Sequence, residues 1–361
     1  MTEPRIAFIG SGHIAQYHAY ALEALPFYYP GVPELHRIAV ASPTKAHREH
    51  FARRYGFEAA LTIPELFRRS DFDTLFILSP NSYHFEQLEQ ALESPHLNHI
   101  YVEKPLCATE QERNSIAHRL LSQSHTRIVQ LGFQFLQMSS ARRAHSMWQR
   151  GAFGQPVHFR ASYLHSGYLS YSYRKCRPNR LAATPAGGAI ADLGSHLFSL
   201  LASFFGDGLE VLDARHSRGF DDVDPMSDLC SVVLLRDKSS GAVGTVIASR
   251  ISAGAGECLE LDVRCTEGGF MLTTERPDML EVYCASDSDR RVLNCASDYR
   301  PESEFPALHA SPGWLRSLVH ANYMFLCGGS GTPSDLAHGL MAQRLVCDTA
   351  RCLHRNGGQH V

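Results

Sequence analysis

Short apolar runs and helix-period stretches alternate along the first third of the chain. Arg5–Ile9, Arg37–Ala41, Thr74–Leu78 and His99–Val102 read as strands that are nearly continuous in apolar residues. Ile14–Ala24, Lys45–Tyr55, Ile63–Arg69 and Phe85–Ala91 read as the helices between them. That rhythm predicts a parallel sheet covered on both faces. Pro26–Glu34, with three prolines and a glycine, interrupts it as a surface loop. After about residue 130 the pattern changes. Val157–Leu164, Leu209–His216, Asp228–Leu235, Val243–Ile251, Leu259–Cys265, Met279–Cys284 and Arg291–Asn294 read as strands separated by turn residues, among them Glu267–Gly269. They predict an antiparallel or mixed sheet. Helices are expected at Ile190–Phe205 and at Ser334–His354. The change of texture divides the chain into domains 1–128 and 129–361.

Bulk properties narrow the class. The chain has 361 residues, 44% of them hydrophobic and 20% charged, enough for two cores and far from a disordered composition. A formal charge of -3 without a basic stripe argues against nucleic acid as a partner. No apolar stretch reaches the roughly 18 residues of a membrane span, and Ile6–Ile9 begins a strand where a signal core would have to lie. The ten cysteines are scattered and never form a Cys-x-x-Cys pair. Reduced thiols in a cytoplasmic protein, with no metal site, are therefore expected.

Gly10-Ser11-Gly12-His13-Ile14-Ala15 fits Gly-x-Gly-x-x-Ala, directly after a strand and at the opening of a helix. That context is the one a dinucleotide-binding loop requires. Gly10 allows the tight turn and Gly12 lets backbone approach a pyrophosphate. His13 and Ile14 open the helix whose N-terminus meets its charge. The end of the second strand usually carries an acid that binds ribose hydroxyls. Here it reads Ser42-Pro43-Thr44-Lys45, with no carboxylate. Hydroxyls and a cation there suit a ribose 2'-phosphate, so NADP(H) is favoured over NAD(H). Ser42-Pro43 also reads as a plain helix start, an N-cap followed by proline.

Three more segments carry candidate chemistry. Ser79-Pro80-Asn81-x-x-His84 and Glu103-Lys104-Pro105 follow the third and fourth expected strands, at the carboxyl edge where open parallel sheets bind ligands. Lys104 suits an electrostatic or proton-transfer role. In Gly187-Gly188…Asp192-x-Gly194-x-His196 the acid and the imidazole lie four apart. On one helix face they form either a proton-transfer pair or an ordinary helical ion pair.

Taken together, these motifs resemble the glucose–fructose oxidoreductase/inositol dehydrogenase (Gfo/Idh/MocA) family, in order and spacing along essentially the whole chain. The resemblance implies an N-terminal Rossmann domain, doubly wound, followed by a C-terminal α/β domain with a large open sheet through which homodimers or homotetramers assemble. It implies hydride transfer between a nicotinamide and a sugar, inositol or related polyol. Lys104, Asp192 and His196 would be its catalytic set, with His196 exchanging the proton, Lys104 holding the reacting oxygen and Asp192 orienting the substrate. Gly10, Gly12, His13, Ile14, Ser42, Thr44, Lys45, Ser79, Pro80, Asn81, His84, Glu103 and Lys104 would bind the cofactor, with Lys104–Pro105 in cis. Tyr163, Tyr173 and Arg174, in a tyrosine-rich stretch before Asp192, are candidate substrate contacts. Gly132–Gln137 departs from the family pattern. Two rival readings are a regulator that binds nucleotide without catalysis and a dihydrodiol dehydrogenase.

Overall fold

The computed structural model describes residues 3–122, 127–177, 180–181, 188–286, 289–301, 305, 312–328 and 333–357. Two compact units divide the chain. The first comprises Met1–Gln134, Pro301–Pro306 and Leu315–Leu340; the second comprises Phe135–Arg300, Ala307–Trp314 and Met341–Val361.

In the first unit the order is β1 (Arg5–Ile9), α1 (His13–Tyr28), β2 (His36–Ala41), α2 (Lys45–Tyr55), β3 (Ala59–Leu61), α3 (Ile63–Phe67), β4 (Thr74–Ile77), α4 (His84–Glu93), β5 (His99–Val102), α5 (Glu110–Ser122) and β6 (Ile128–Leu131). The strands form one sheet in the order β3-β2-β1-β4-β5-β6. Every pairing is parallel. This is the doubly wound Rossmann arrangement, in which the strand order reverses between β1 and β4. Two strands beyond the four expected, β3 and β6, extend it at its edges.

The second unit holds α6 (Ser139–Gln149), β7 (Pro156–Leu164), α7 (Tyr171–Lys175), α8 (Ser195–Phe205), β8 (Leu209–Ser217), β9 (Cys230–Asp237), β10 (Val243–Ser249), β11 (Cys258–Cys265), β12 (Gly268–Thr273), β13 (Met279–Cys284) and β14 (Asp289–Asn294). Its eight strands run β14-β13-β12-β11-β7-β10-β9-β8, antiparallel except for the parallel pair β7–β10. The sheet is mixed. β12 corrects the turn expected at Glu267–Gly269. A Cβ at Gly268 would stand 2.5 Å from the Tyr283 carbonyl oxygen, and one at Gly269 2.4 Å from that of Val263. These glycines admit close-packed neighbouring backbone rather than breaking the strand.

Two helices follow, α9 (Leu315–Cys327) and α10 (Leu336–Gly357). The C-terminal region does not belong wholly to the second unit, as a domain 129–361 requires. Leu318, Val319 and Phe325 of α9 join the core of the first unit with Phe8, Phe76 and Tyr101. The Phe325 ring meets Phe76 edge-on at 5.2 Å. No helix among the described residues is long and apolar enough to cross a membrane.

Candidate functional site

The carboxyl ends of β1, β4 and β5 bring three of the expected segments to one edge of the first sheet. Gly10 donates its N–H to the Ala41 carbonyl at 2.8 Å and has φ 114°. A Cβ there would lie 2.5 Å from the Leu78 carbonyl oxygen, so both backbone conformation and space demand glycine. Gly12 faces open space. It precedes α1, whose first turn contains no acid and whose N-cap makes no side-chain hydrogen bond. His13 and Ile14 therefore open a helix whose N-cap residue, Gly12, offers no side-chain acceptor to the first N–H groups. Such an end is suited to phosphate.

At the end of β2, Thr44 and not Ser42 is the N-cap residue of α2. Ser42 instead accepts a hydrogen bond from the Ser11 hydroxyl at 3.0 Å, joining the glycine loop to the second strand. Arg48 donates to the carbonyls of Ser42 and Pro43, at 3.1 and 3.0 Å. Lys45 is exposed and pairs loosely with Glu49 at 3.8 Å.

Ser79 donates to Gln87 at 2.6 Å, and Pro80 leads into a short turn at Asn81–Tyr83. His84 is buried, with Nδ1 2.8 Å from the Pro105 carbonyl and Nε2 2.9 Å from that of Ser79. Burial pushes its pKa down, against the pull of the two carbonyls. With both ring nitrogens engaged, His84 braces the Ser79 loop against the Pro105 loop. The Lys104–Pro105 bond is cis, as expected.

Glu103 is likewise turned inward. Its Oε1 lies 3.1 Å from His18 Nε2, and its Oε2 accepts from the Lys104 N–H at 3.1 Å. The other ring nitrogen of His18 lies 3.2 Å from Asn322 Oδ1 on α9. This buried chain from α9 through α1 to the backbone of Lys104 carries no local signal in the sequence.

In the second unit, the helix expected over Ile190–Phe205 begins instead as a π turn, Ile190–Gly194, that runs into α8. Single π turns within helices recur at functional sites. Asp192 lies in that turn, and His196 follows in the first turn of α8. Gly187 falls outside the described residues. Gly188 is explained by Asp228: a Cβ at 188 would fall 1.1 Å from Asp228 Oδ1. Asp228 Oδ2 accepts the Ile190 N–H at 2.8 Å. Burial pushes the Asp228 carboxyl up, partly countered by that hydrogen bond.

His196 is only 3% exposed and stands edge-on to the Phe135 ring at 4.8 Å. Asp192 Oδ2 accepts from Arg250 at 2.8 Å and from Arg180 at 3.4 Å. Neither arginine was anticipated.

The tyrosine-rich stretch divides. Tyr163 lies on β7 near Phe135 and donates to Glu257 at 2.6 Å. Tyr173 is partly exposed, with the Arg177 guanidinium 3.7 Å from its ring centroid. Arg174 is buried, donating to the carbonyls of Tyr168 and Leu169 and bidentately to Asp222. Its guanidinium ties loops together, which corrects the expectation that it contacts substrate.

Comparison with known proteins follows the same division. The model of an oxidoreductase family with an NAD-binding Rossmann fold matches residues 4–133, and the GFO/IDH/MocA C-terminal domain matches residues 141–271. Levoglucosan dehydrogenase of Pseudarthrobacter phenanthrenivorans is 26% identical, over 92% of each chain. A dTDP-3,4-didehydro-2,6-dideoxy-alpha-D-glucose 3-reductase of Actinomadura kijaniata is 29% identical, over 60% of this chain and 61% of its own. Among solved structures, a levoglucosan dehydrogenase complex with NADH and levoglucosan superposes with a TM-score of 0.88 at 22% identity, covering 98% of both chains.

Proposed function

The chain belongs to the GFO/IDH/MocA oxidoreductase family, and from that premise we propose that it transfers a hydride between a nicotinamide cofactor and a hydroxyl or keto group of a sugar, inositol or related polyol. Two observations carry the reading. Gly12 leaves open space before a helix end without a side-chain cap, while the second unit sets Asp192 and His196 on one π-to-α segment. The first fits a dinucleotide's phosphates; the second supplies an acceptor and an imidazole to a polyhydroxylated substrate.

The bound cofactor would accept or deliver the hydride. The chain's own groups handle the proton and the oxygen. His196 takes the proton from the reacting hydroxyl in oxidation and returns it in reduction. Lys104 holds that oxygen and offsets its developing negative charge. Asp192 accepts hydrogen bonds from neighbouring hydroxyls and orients the ring.

At the end of β2, Ser42, Thr44, Lys45 and Arg48 favour NADP(H) over NAD(H), since no carboxylate follows that strand before Glu49. The test is turnover followed through the reduced nicotinamide on levoglucosan, myo-inositol, free hexoses and aromatic dihydrodiols, with each cofactor in turn. Sugar or polyol turnover with tighter NADPH binding is expected. Intact cofactor binding without turnover of any of these compounds would point to the regulator, and tighter NADH binding would overturn the cofactor preference.

We also propose a homodimer or homotetramer built on the second sheet. Val157, Val232, Leu234 and Val243, on three neighbouring strands of that sheet, are each more than 40% exposed. Light scattering should return two or four times the 40.1 kDa chain mass; a monomer at micromolar concentration refutes this.

A further inference from the structure

Arg250, just beyond β10, is the bulkiest fully buried side chain among the described residues. A guanidinium in such a place is costly unless its donors are matched. Its Nη2 donates to Asp192 Oδ2 at 2.8 Å and its Nη1 to the Arg180 carbonyl at 2.8 Å. The Tyr168 ring centroid lies 4.8 Å from its guanidinium carbon. Its backbone N–H donates to the Leu229 carbonyl, one residue from the Asp228 that holds the head of the π turn. The residues flanking the β9–β10 hairpin thus hold this segment twice, at the Ile190 N–H and at the Asp192 carboxylate. Arg180 reaches the same carboxylate oxygen at 3.4 Å, but differs in kind: its side chain is 62% exposed, against 2% for Arg250.

We propose that Arg250 is a positioning residue for the reaction, fixing the Asp192 carboxylate in the direction needed to accept substrate hydroxyls, while Arg180 is the outer partner that a substrate displaces. The inner pair is buried, and Asp192, the Arg180 carbonyl and the Tyr168 ring all meet its guanidinium. The outer pair is longer, at 3.4 Å, and its guanidinium is the exposed one, although the Asp192 charge still raises the Arg180 pKa. Arginine is required at 250 because its planar fork serves a carboxylate and a carbonyl together; a lysine keeps the charge and loses the geometry.

The inference rests on the reading of Asp192 as the substrate-orienting group, and the experiment separates the two. Turnover by the wild type on the sugar and polyol compounds tests that reading. Given turnover, Arg250→Lys and Arg250→Met are expected to lose about 10²-fold in kcat, the cost of a small misplacement of a reacting group, with cofactor Kd unchanged. Arg180→Ala spares the substrate the displacement of that guanidinium and should lower KM; an unchanged or raised KM overturns the role given to Arg180. Adding Arg250→Met to Asp192→Asn should cost little more than Asp192→Asn alone, because both act through one carboxylate. Methylguanidine should restore part of the activity of Arg250→Ala, which a role in stability alone would not produce. Wild-type kcat in Arg250→Lys, or losses that multiply in the double variant, overturn the proposal. Should the wild type turn over none of the compounds, a crystal structure of Arg250→Met decides. A displaced Asp192 carboxylate upholds the clamp, and an unmoved one refutes it.

Discussion

Replacing His196 by alanine is expected to lower kcat by about 10²–10⁴-fold, the usual worth of a general acid or base, while the cofactor binds as tightly as before. Lys104→Ala should give a loss of the same order. The two belong to different units, His196 in the first turn of α8 and Lys104 just beyond β5, and neither lies in the glycine loop that meets the phosphates. His196 is hemmed in by Phe135 and Tyr163, so alanine also leaves a small cavity. His196→Gln retains most of the volume and hydrogen-bonding capacity without the proton chemistry. Its kcat should be as low as that of His196→Ala, with a melting temperature closer to wild type. Stopped-flow cofactor binding alongside steady-state kinetics measures both sides of the claim. Full activity in either alanine variant removes that residue from the chemistry.

The second large effect falls on folding. Gly188→Ala would place a methyl group 1.1 Å from Asp228 Oδ1, so that carboxylate must leave. Its departure strips the Ile190 N–H of its acceptor, and an unmatched buried donor alone costs about 1–3 kcal/mol. With the forced rearrangement, a loss of about 2–4 kcal/mol is expected, seen as a melting temperature lowered by roughly 4–16 °C. Asp228→Ala in the same chain should recover part of the loss by removing the obstacle. A Gly188→Ala protein that melts with the wild type would show that Asp228 does not occupy that space.

These two cases show which parts of the molecule were legible in the sequence. The loop Gly10–Ala15, the segments at Ser79 and Glu103, and the pairing of Gly188 with Asp192 and His196 are local patterns with fixed spacing, and all could be read directly. Arg250 and Asp228 could not. Each is a single charged residue near a strand end, and their partners lie 58 and 38 residues away. Helix α9 escaped for a different reason. Arg316, His320 and Asn322 are all buried in it, and polar groups on an inward face erase the apolar stripe that reveals a helix. Arg174 misled in the opposite way. An arginine among tyrosines suggests a ligand, whereas its neighbour in space, Asp222, consumes it. The π turn was unreadable because a one-residue change in winding leaves no mark on composition.

The return of α9 to the first unit bears on how the polypeptide matures. Residues up to Gln134 are synthesised well before Leu318, Val319 and Phe325, which complete the same core. At about 5–20 residues per second the delay is on the order of tens of seconds. Through that interval the nascent N-terminal third lacks the Phe325 ring that later covers Phe76 and Tyr101. By the same logic no single proteolytic cut divides this protein into two self-sufficient halves.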